Sequence, residues 1–271
     1  MHSLRRAAPA LLAILLLSTQ ALPAAAAGRQ RSYAATHGAA PFATADLIPG
    51  SDIDLDDVDR SLPSAQVVAL TIDDGPDAND AAILEILRQH HEKATFFFIG
   101  GKIAGHRDLA RLVAASGNEI GSHTQGHPMM TDLPPARQEW NLAQAQAALA
   151  GIGVAATWFR PPYGDVDDVL AARALSHGMR TVLWTVDSRD WKGVDAETIT
   201  RHVGERLAPG AVVLMHSTKA ASLAALPAIL EEGERRGYRF VTMSEWKEAM
   251  RRSAPSSVAL LHPRPHPQAR Y

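Results

Sequence analysis

Seven short apolar runs punctuate the middle of this chain, at residues 66–72, 94–99, 119–122, 156–159, 180–186, 211–215 and 239–242. Each is of strand length, and helix-like stretches lie between them. In 79–91, Ile83, Leu84, Ile86 and Leu87 cluster for one helical face; 136–149 is rich in Ala and Gln; 167–176, 195–207 and 222–236 continue the alternation. Such alternation constrains the chain to an α/β class, with a parallel sheet and covering helices. Periodicity does not decide between an open sheet and a closed barrel.

The two ends differ from the middle. Residues 1–27 carry Arg5-Arg6, then an apolar core over Leu11–Leu17, then Leu22-Pro23-Ala24-Ala25-Ala26-Ala27. This is the order of a secretory signal, with cleavage expected near Ala27. The core is too short for a membrane-spanning helix, which needs roughly 20 residues. Cleavage removes Arg5 and Arg6 and takes the net charge from −2 to −4 (25 basic against 29 acidic residues), which argues against nucleic acid as a partner. The chain has no cysteine, hence neither disulfides nor a lipid-modified cysteine anchor. A secreted or periplasmic protein without a stable membrane anchor, and a monomer, is expected.

Residues 28–62 are rich in Ala, Gly, Ser and Pro, with five Asp between Asp52 and Asp59, and read as a solvated acidic linker. Asp52, Asp54 and Asp56 have calcium-loop spacing, but Asp57 stands where that loop needs Gly and Pro63 where it needs Glu. Residues 251–271, Pro- and Ser-rich with His262 and His266, read as a disordered tail. That leaves 63–250 as one domain of barrel size.

Within this domain, chemically useful side chains gather at the ends of the apolar runs. Val67-Val68-Ala69-Leu70 leads into Thr71-Ile72-Asp73-Asp74-Gly75-Pro76. Successive strand residues face opposite ways, so both carboxylates converge only if the backbone bends, and Gly75-Pro76 offers a bend. The bland alternative is an Asx-type turn capping a helix near Asn79-Asp80. His123 and His127 are four apart in His123-Thr124-Gln125-Gly126-His127-Pro128, a spacing that lets two imidazoles share one face of a helical turn. Two histidines and one carboxylate form a known catalytic metal set with open positions.

Three further segments follow: Arg160-Pro161-Pro162-Tyr163-Gly164, Asp187-Ser188-Arg189-Asp190-Trp191 and Leu214-Met215-His216. In this order and at these separations, the five motifs resemble the polysaccharide deacetylase family, the NodB-homology group known as carbohydrate esterase family 4. The resemblance runs from about Gln66 to Glu245. Departures are small: Ile72 where Phe is usual, and Ser217 where Asp is common.

The resemblance implies a distorted (β/α) barrel of about seven parallel strands with outer helices and a site at the strand C-terminal ends. It implies a metal-dependent hydrolase that removes N-acetyl groups from polymers containing N-acetylglucosamine, chitin-type oligomers or peptidoglycan. Asp74, His123 and His127 would hold a divalent metal; the donor set suits Zn2+, and Co2+, Mn2+ or Ni2+ could bind it. Asp73 would be the general base and His216 the general acid. Arg160 would hold Asp73, and Asp190 would orient His216, although Asp187 stands in the same segment. The Tyr163 main-chain N–H would stabilise the oxyanion, and Trp191 and Leu214 would line the acetyl slot. Alternatives in the same frame are an acetylxylan O-deacetylase, a non-catalytic carbohydrate-binding relative and a metal-independent amidase. His90, His91, His106, His177 and His202 match no motif and read as surface or helix-end residues.

Overall fold

A computed structural model describes residues 66–253. The expected signal segment 1–27, the linker 28–62 and the tail beyond Ser253 lie outside the described residues. Eight strands and eight α-helices follow one another as β1 (Val67–Gly75), α1 (Asp80–Gln89), β2 (Thr95–Phe98), α2 (Gly100–Ile103), α3 (Arg107–Ala115), β3 (Glu119–Ser122), α4 (Pro135–Ala150), β4 (Trp158–Phe159), α5 (Asp168–Ser176), β5 (Arg180–Thr181), β6 (Val186–Asp187), α6 (Ala196–Gly204), β7 (Val212–His216), α7 (Ala220–Arg235), β8 (Arg239–Val241) and α8 (Met243–Ser253). No helix among the described residues is long and apolar enough to cross a membrane.

Seven parallel strands run in the order β5-β4-β3-β2-β1-β7-β6, and β8 pairs with the foot of β1. The sheet curls into a half-barrel, with no ladder joining β5 to β6 among the described residues. Strand alternation sorts the side chains. Val68, Leu70 and Ile72 of β1, Phe96 and Phe98 of β2, and Val213 and Met215 of β7 face outward into the main core beneath the helices. Ala69, Phe97, Trp158 and Val212 face inward, where they meet Met243, Trp246 and Met250 of α8. Those three are spaced three and four apart on one helical face, and α8 closes the floor of the barrel with Trp246 fully buried. Helix α8 runs to Ser253, the last described residue.

The run 180–186, expected as one strand, is two short ones. Between them the carbonyls of Val182 and Leu183 accept hydrogen bonds from Arg160 Nε (3.4 Å) and Nη2 (2.8 Å). A guanidinium has taken acceptors that a ladder would otherwise use. Helices α5 and α6 start where the sequence caps them: Asp167 accepts from Leu170 N and Asp195 from Thr198 N, each at 2.8 Å.

Candidate active site

The inward face of β1 carries Ala69, Thr71 and Asp73 in ascending order, so one strand supplies floor, wall and site. Thr71 donates to the Val213 carbonyl and accepts from Arg160 Nη1 at 2.6 Å. One step higher, Asp73 is the register partner of His216 on β7. Both point into the barrel, so a carboxylate and an imidazole stand side by side at its mouth.

The strand turns at Asp74, whose φ of 70° is left-handed, and the β1–β2 register shifts between Asp73 and Gly75. Asp74 itself therefore makes the bend ahead of Gly75-Pro76, and brings its carboxylate to the same mouth as Asp73. Lys102 of α2 fixes the turn by donating to the Asp74 carbonyl at 2.6 Å.

His123 and His127 do not share a helical turn. They flank a bent loop at the end of β3, with Thr124 and His127 both at positive φ and the Thr124 hydroxyl accepting from His127 N at 2.9 Å. The loop also hangs on α2 and α4. The N–H groups of Gly100 and Gly101 donate to the Thr124 and Gln125 carbonyls, and Asn141 Oδ1 accepts from Gly126 N. The bent loop still brings the imidazoles together, with ring centroids 4.8 Å apart.

Asp74, His123 and His127 each offer a ligand atom within 4.8 Å of the others. Asp74 Oδ1 lies 3.2 Å from His127 Nε2 and 3.6 Å from His123 Nε2, yet it is buried and completes a hydrogen bond to neither. His123 Nδ1 bonds the Arg160 carbonyl at 2.7 Å, which places its proton on Nδ1 and leaves the Nε2 lone pair facing Asp74. Burial lowers the His123 pKa and keeps the ring neutral, the form a metal binds. For Asp74, burial acts to raise the pKa, but the neighbouring histidines outweigh it and hold it at about 2. A buried, ionised carboxylate oxygen without a partner, beside two oriented imidazole nitrogens, fits a divalent cation.

Arg160 is fully buried. It donates to Asp73 Oδ1 at 2.9 Å and stacks its guanidinium 4.3 Å from the Phe97 ring centroid. His216 Nδ1 lies 2.6 Å from Asp190 Oδ1, and the same carboxylate accepts His216 N at 2.7 Å and the Ser222 hydroxyl. Asp190 is thus the carboxylate on His216, whereas Asp187 bonds Arg189 N and Trp191 Nε1. Burial disfavours the His216 imidazolium, but the bond to Asp190 and its charge win, so the pKa is raised. Burial pushes Asp190 up; its bonds to His216 and Ser222 push harder and hold it down.

Tyr163 sits at φ 62°, is exposed at the rim, and its N–H has no partner among the described residues. Its hydroxyl lies 3.2 Å from His127 Nδ1. Leu214 is buried on the inward face of β7, where its register partner is Asp187, and the half-exposed Trp191 donates its indole N–H to the Asp187 carboxylate. Asp73, Asp74, His123, His127, Arg160, Asp190 and His216 therefore meet at one mouth, with Tyr163 against His127 at its rim. Thr71, Lys102, Asn141 and Ser222 also build it and were missed: Thr71 stands inside the first motif but reads as an ordinary strand residue, and the other three lie on helices with no motif around them. Of the unmatched histidines, His90 and His177 are helix C-caps, and His177 bonds Gln146 and Glu139.

A family model described as polysaccharide deacetylase matches residues 61–182. A peptidoglycan-N-acetylglucosamine deacetylase of Bacillus cereus is 37% identical over 182 residues, 65% of this chain and 66% of that protein. The chain thus spans just under two thirds of that relative's length. A second Bacillus cereus protein of the same name is 35% identical over 186 residues, 66% of this chain and 87% of that one. Among solved structures, a family 4 carbohydrate esterase from Streptomyces lividans in complex with acetate superposes with a TM-score of 0.62 at 35% identity, covering 64% of this chain and 91% of the other.

Proposed function

This chain belongs to the polysaccharide deacetylase family, and from that premise we propose that it hydrolyses N-acetyl groups on a polymer containing N-acetylglucosamine, releasing acetate and leaving the free amine. The observation that carries the reading is the orphaned Asp74 Oδ1 set between two oriented imidazoles, one residue from a carboxylate that faces a second acid–base group. Asp74, His123 and His127 would hold a divalent metal, with zinc first by donor type. When bound, such a metal polarises the amide carbonyl and makes water a competent nucleophile near neutral pH.

The remaining chemistry belongs to the side chains. Asp73 accepts the proton of the attacking water on the oxygen that Arg160 leaves free. Arg160 fixes that carboxylate by a charge-assisted bond inside a dry wall of Thr71, Phe97 and Trp184. His216, held by Asp190 through Nδ1, donates from Nε2 to the departing amine. An acid and a base of different chemical type perform opposite transfers at one pH. The free Tyr163 N–H stabilises the oxyanion, and loss of such a donor costs about 3 kcal/mol in other hydrolases. Trp191 and Leu214 receive the acetyl methyl. The names of the Bacillus cereus relatives support peptidoglycan as the polymer. The signal-like segment 1–27 supports export to the periplasm or medium, where that polymer lies.

Acetate release by the purified protein, stripped of metal and then reloaded with a defined one, is to be measured on peptidoglycan, chitooligosaccharides and acetylxylan. Metal-dependent release from an N-acetylated substrate is expected. Full activity with no metal detectable by elemental analysis would overturn the metal assignment; release from acetylxylan alone would reassign the enzyme to O-deacetylation.

A further inference from the structure

Two buried polar groups lie under this mouth, and no step above uses them. Asp80, the first residue of α1, is fully buried, as is Ser217, which follows His216. Asp80 Oδ2 accepts the Asp77 N–H at 2.9 Å. Burial pushes the Asp80 pKa up and the nearby Ser217 hydroxyl acts against it; neither Asp80 Oδ1 nor Ser217 Oγ completes a hydrogen bond among the described residues. The Ser217 backbone is tied on both sides. Its N–H donates to the Asp73 carbonyl at 2.9 Å, and its carbonyl accepts Asn79 Nδ2 at 2.7 Å.

Ser217 is therefore gripped by the head of α1 on one side and by β1 on the other. Its chain neighbour is His216, and its hydrogen-bond partner across the ladder is Asp73. The carboxylate also lies under the bend: a Cβ on Gly75 would come within 3.0 Å of Asp80 Oδ2 and 2.5 Å of the Phe98 ring. Side chain and bend are packed against each other with no slack. A shift of the Asp80 carboxylate would move the bend that sets Asp73 and the turn that sets His216 together.

We infer that Asp80 and Ser217 are a positioning pair, which keeps Asp73 and His216 in proton-transfer register from below. The inference rests on the proposed roles of those two residues. The space holds one carboxylate and one hydroxyl, supplied by different elements. Exchanging which element supplies which should preserve the pair, whereas two hydroxyls or two carboxylates should not.

The test is steady-state acetate release by wild type, Asp80→Ser, Ser217→Asp and the double exchange, all at saturating metal, with metal content and melting temperature measured on each. Asp80→Ser should lower kcat about 10- to 100-fold, in line with the effect of a displacement of about 1 Å at a reacting group. KM should stay within about twofold and metal content should be unchanged. Ser217→Asp should also lose rate, and the double exchange should recover most of it. An exchange no better than the poorer single variant, or an Asp80→Ser variant with lowered melting temperature but wild-type kcat, overturns the inference. If Asp80→Ser does not fold, Ser217→Ala gives the same reading, and a wild-type kcat in that variant likewise overturns it. Wild type inactive on all three substrates would instead refute the proposed function, so the two failures are separable.

Discussion

Replacing Asp190 by Asn should move the alkaline limb of the pH–rate profile down by about one to two pH units. Three donors meet on this carboxylate: His216 Nδ1, His216 N and the Ser222 hydroxyl. An amide has one acceptor oxygen, and its NH2 would face a donor, so the imidazolium loses its charged partner. A hydrogen bond to a charged group is worth about 1.5–3 kcal/mol. At about 1.4 kcal/mol per pKa unit, that is the one to two units expected. The sign follows from the role. His216 must be protonated to donate, its pKa is raised in the fold, and activity is lost as pH rises through that pKa. The variant should fall about 10- to 100-fold below wild type on the alkaline side and less than that near pH 6. Stability should follow the same pair. The raised His216 pKa contributes stability below about pH 6.5 that fades as pH rises through the folded value. The lowered Asp190 pKa contributes stability above about pH 3.9 that fades as pH falls through its own. The variant should lose thermal stability most between those limits. The assay is kcat for acetate release from pH 5 to 10, with melting curves over the same range. An alkaline limb that stays put in an otherwise folded variant would refute the assignment of His216 as the acid held by Asp190.

Asp73→Asn should keep metal stoichiometry and lose acetate release, whereas Asp74→Asn should weaken metal binding itself; titration with the chosen metal separates them, and the reverse pattern would exchange their roles. Arg160→Met removes the only positive partner hydrogen-bonded to Asp73 among the described residues and should destabilise the fold by about 3–5 kcal/mol in urea unfolding, because it strands a buried carboxylate. Trp246→Ala empties the barrel floor and frees the Gly210 carbonyl that the indole bonds at 3.0 Å, so about 3–5 kcal/mol of stability should go, measured the same way, with metal content unaffected in the folded fraction.

The strand–helix order and the site inventory were both legible because this fold puts its chemistry at strand ends, where polar residues interrupt apolar runs. Asp73, Arg160 and His216 each follow such a run directly, Asp74 follows Asp73, and Asp190 rather than Asp187 makes the bond to His216. What the sequence hid was conformation that depends on distant partners. Four-residue spacing between His123 and His127 suggested a helical turn. The carbonyls of that loop are instead claimed by Gly100 and Gly101, and left-handed residues bring the rings together. The break in 180–186 is likewise set by Arg160, some twenty residues away, and no local pattern in the run announces it. Helix α8 was overlooked because its charged residues mask a three-residue apolar stripe, although Met243, Trp246 and Met250 had helical spacing all along.

Arg160 ties the interior strand β1 to the β5–β6 connection, and this restricts how such a protein could drift out of catalysis. Its guanidinium holds β1 through Thr71 and Asp73 and the β5–β6 connection through two carbonyls. A descendant that no longer needed turnover could replace Tyr163 at the exposed rim with little penalty. Dropping Asp73 would leave an unneutralised cation walled in beside Phe97, and dropping Arg160 would release β1 from the β5–β6 connection. Selection for mere folding would therefore retain the base and its arginine long after selection for acetate release had ceased, and their presence in a relative speaks for the architecture before it speaks for activity.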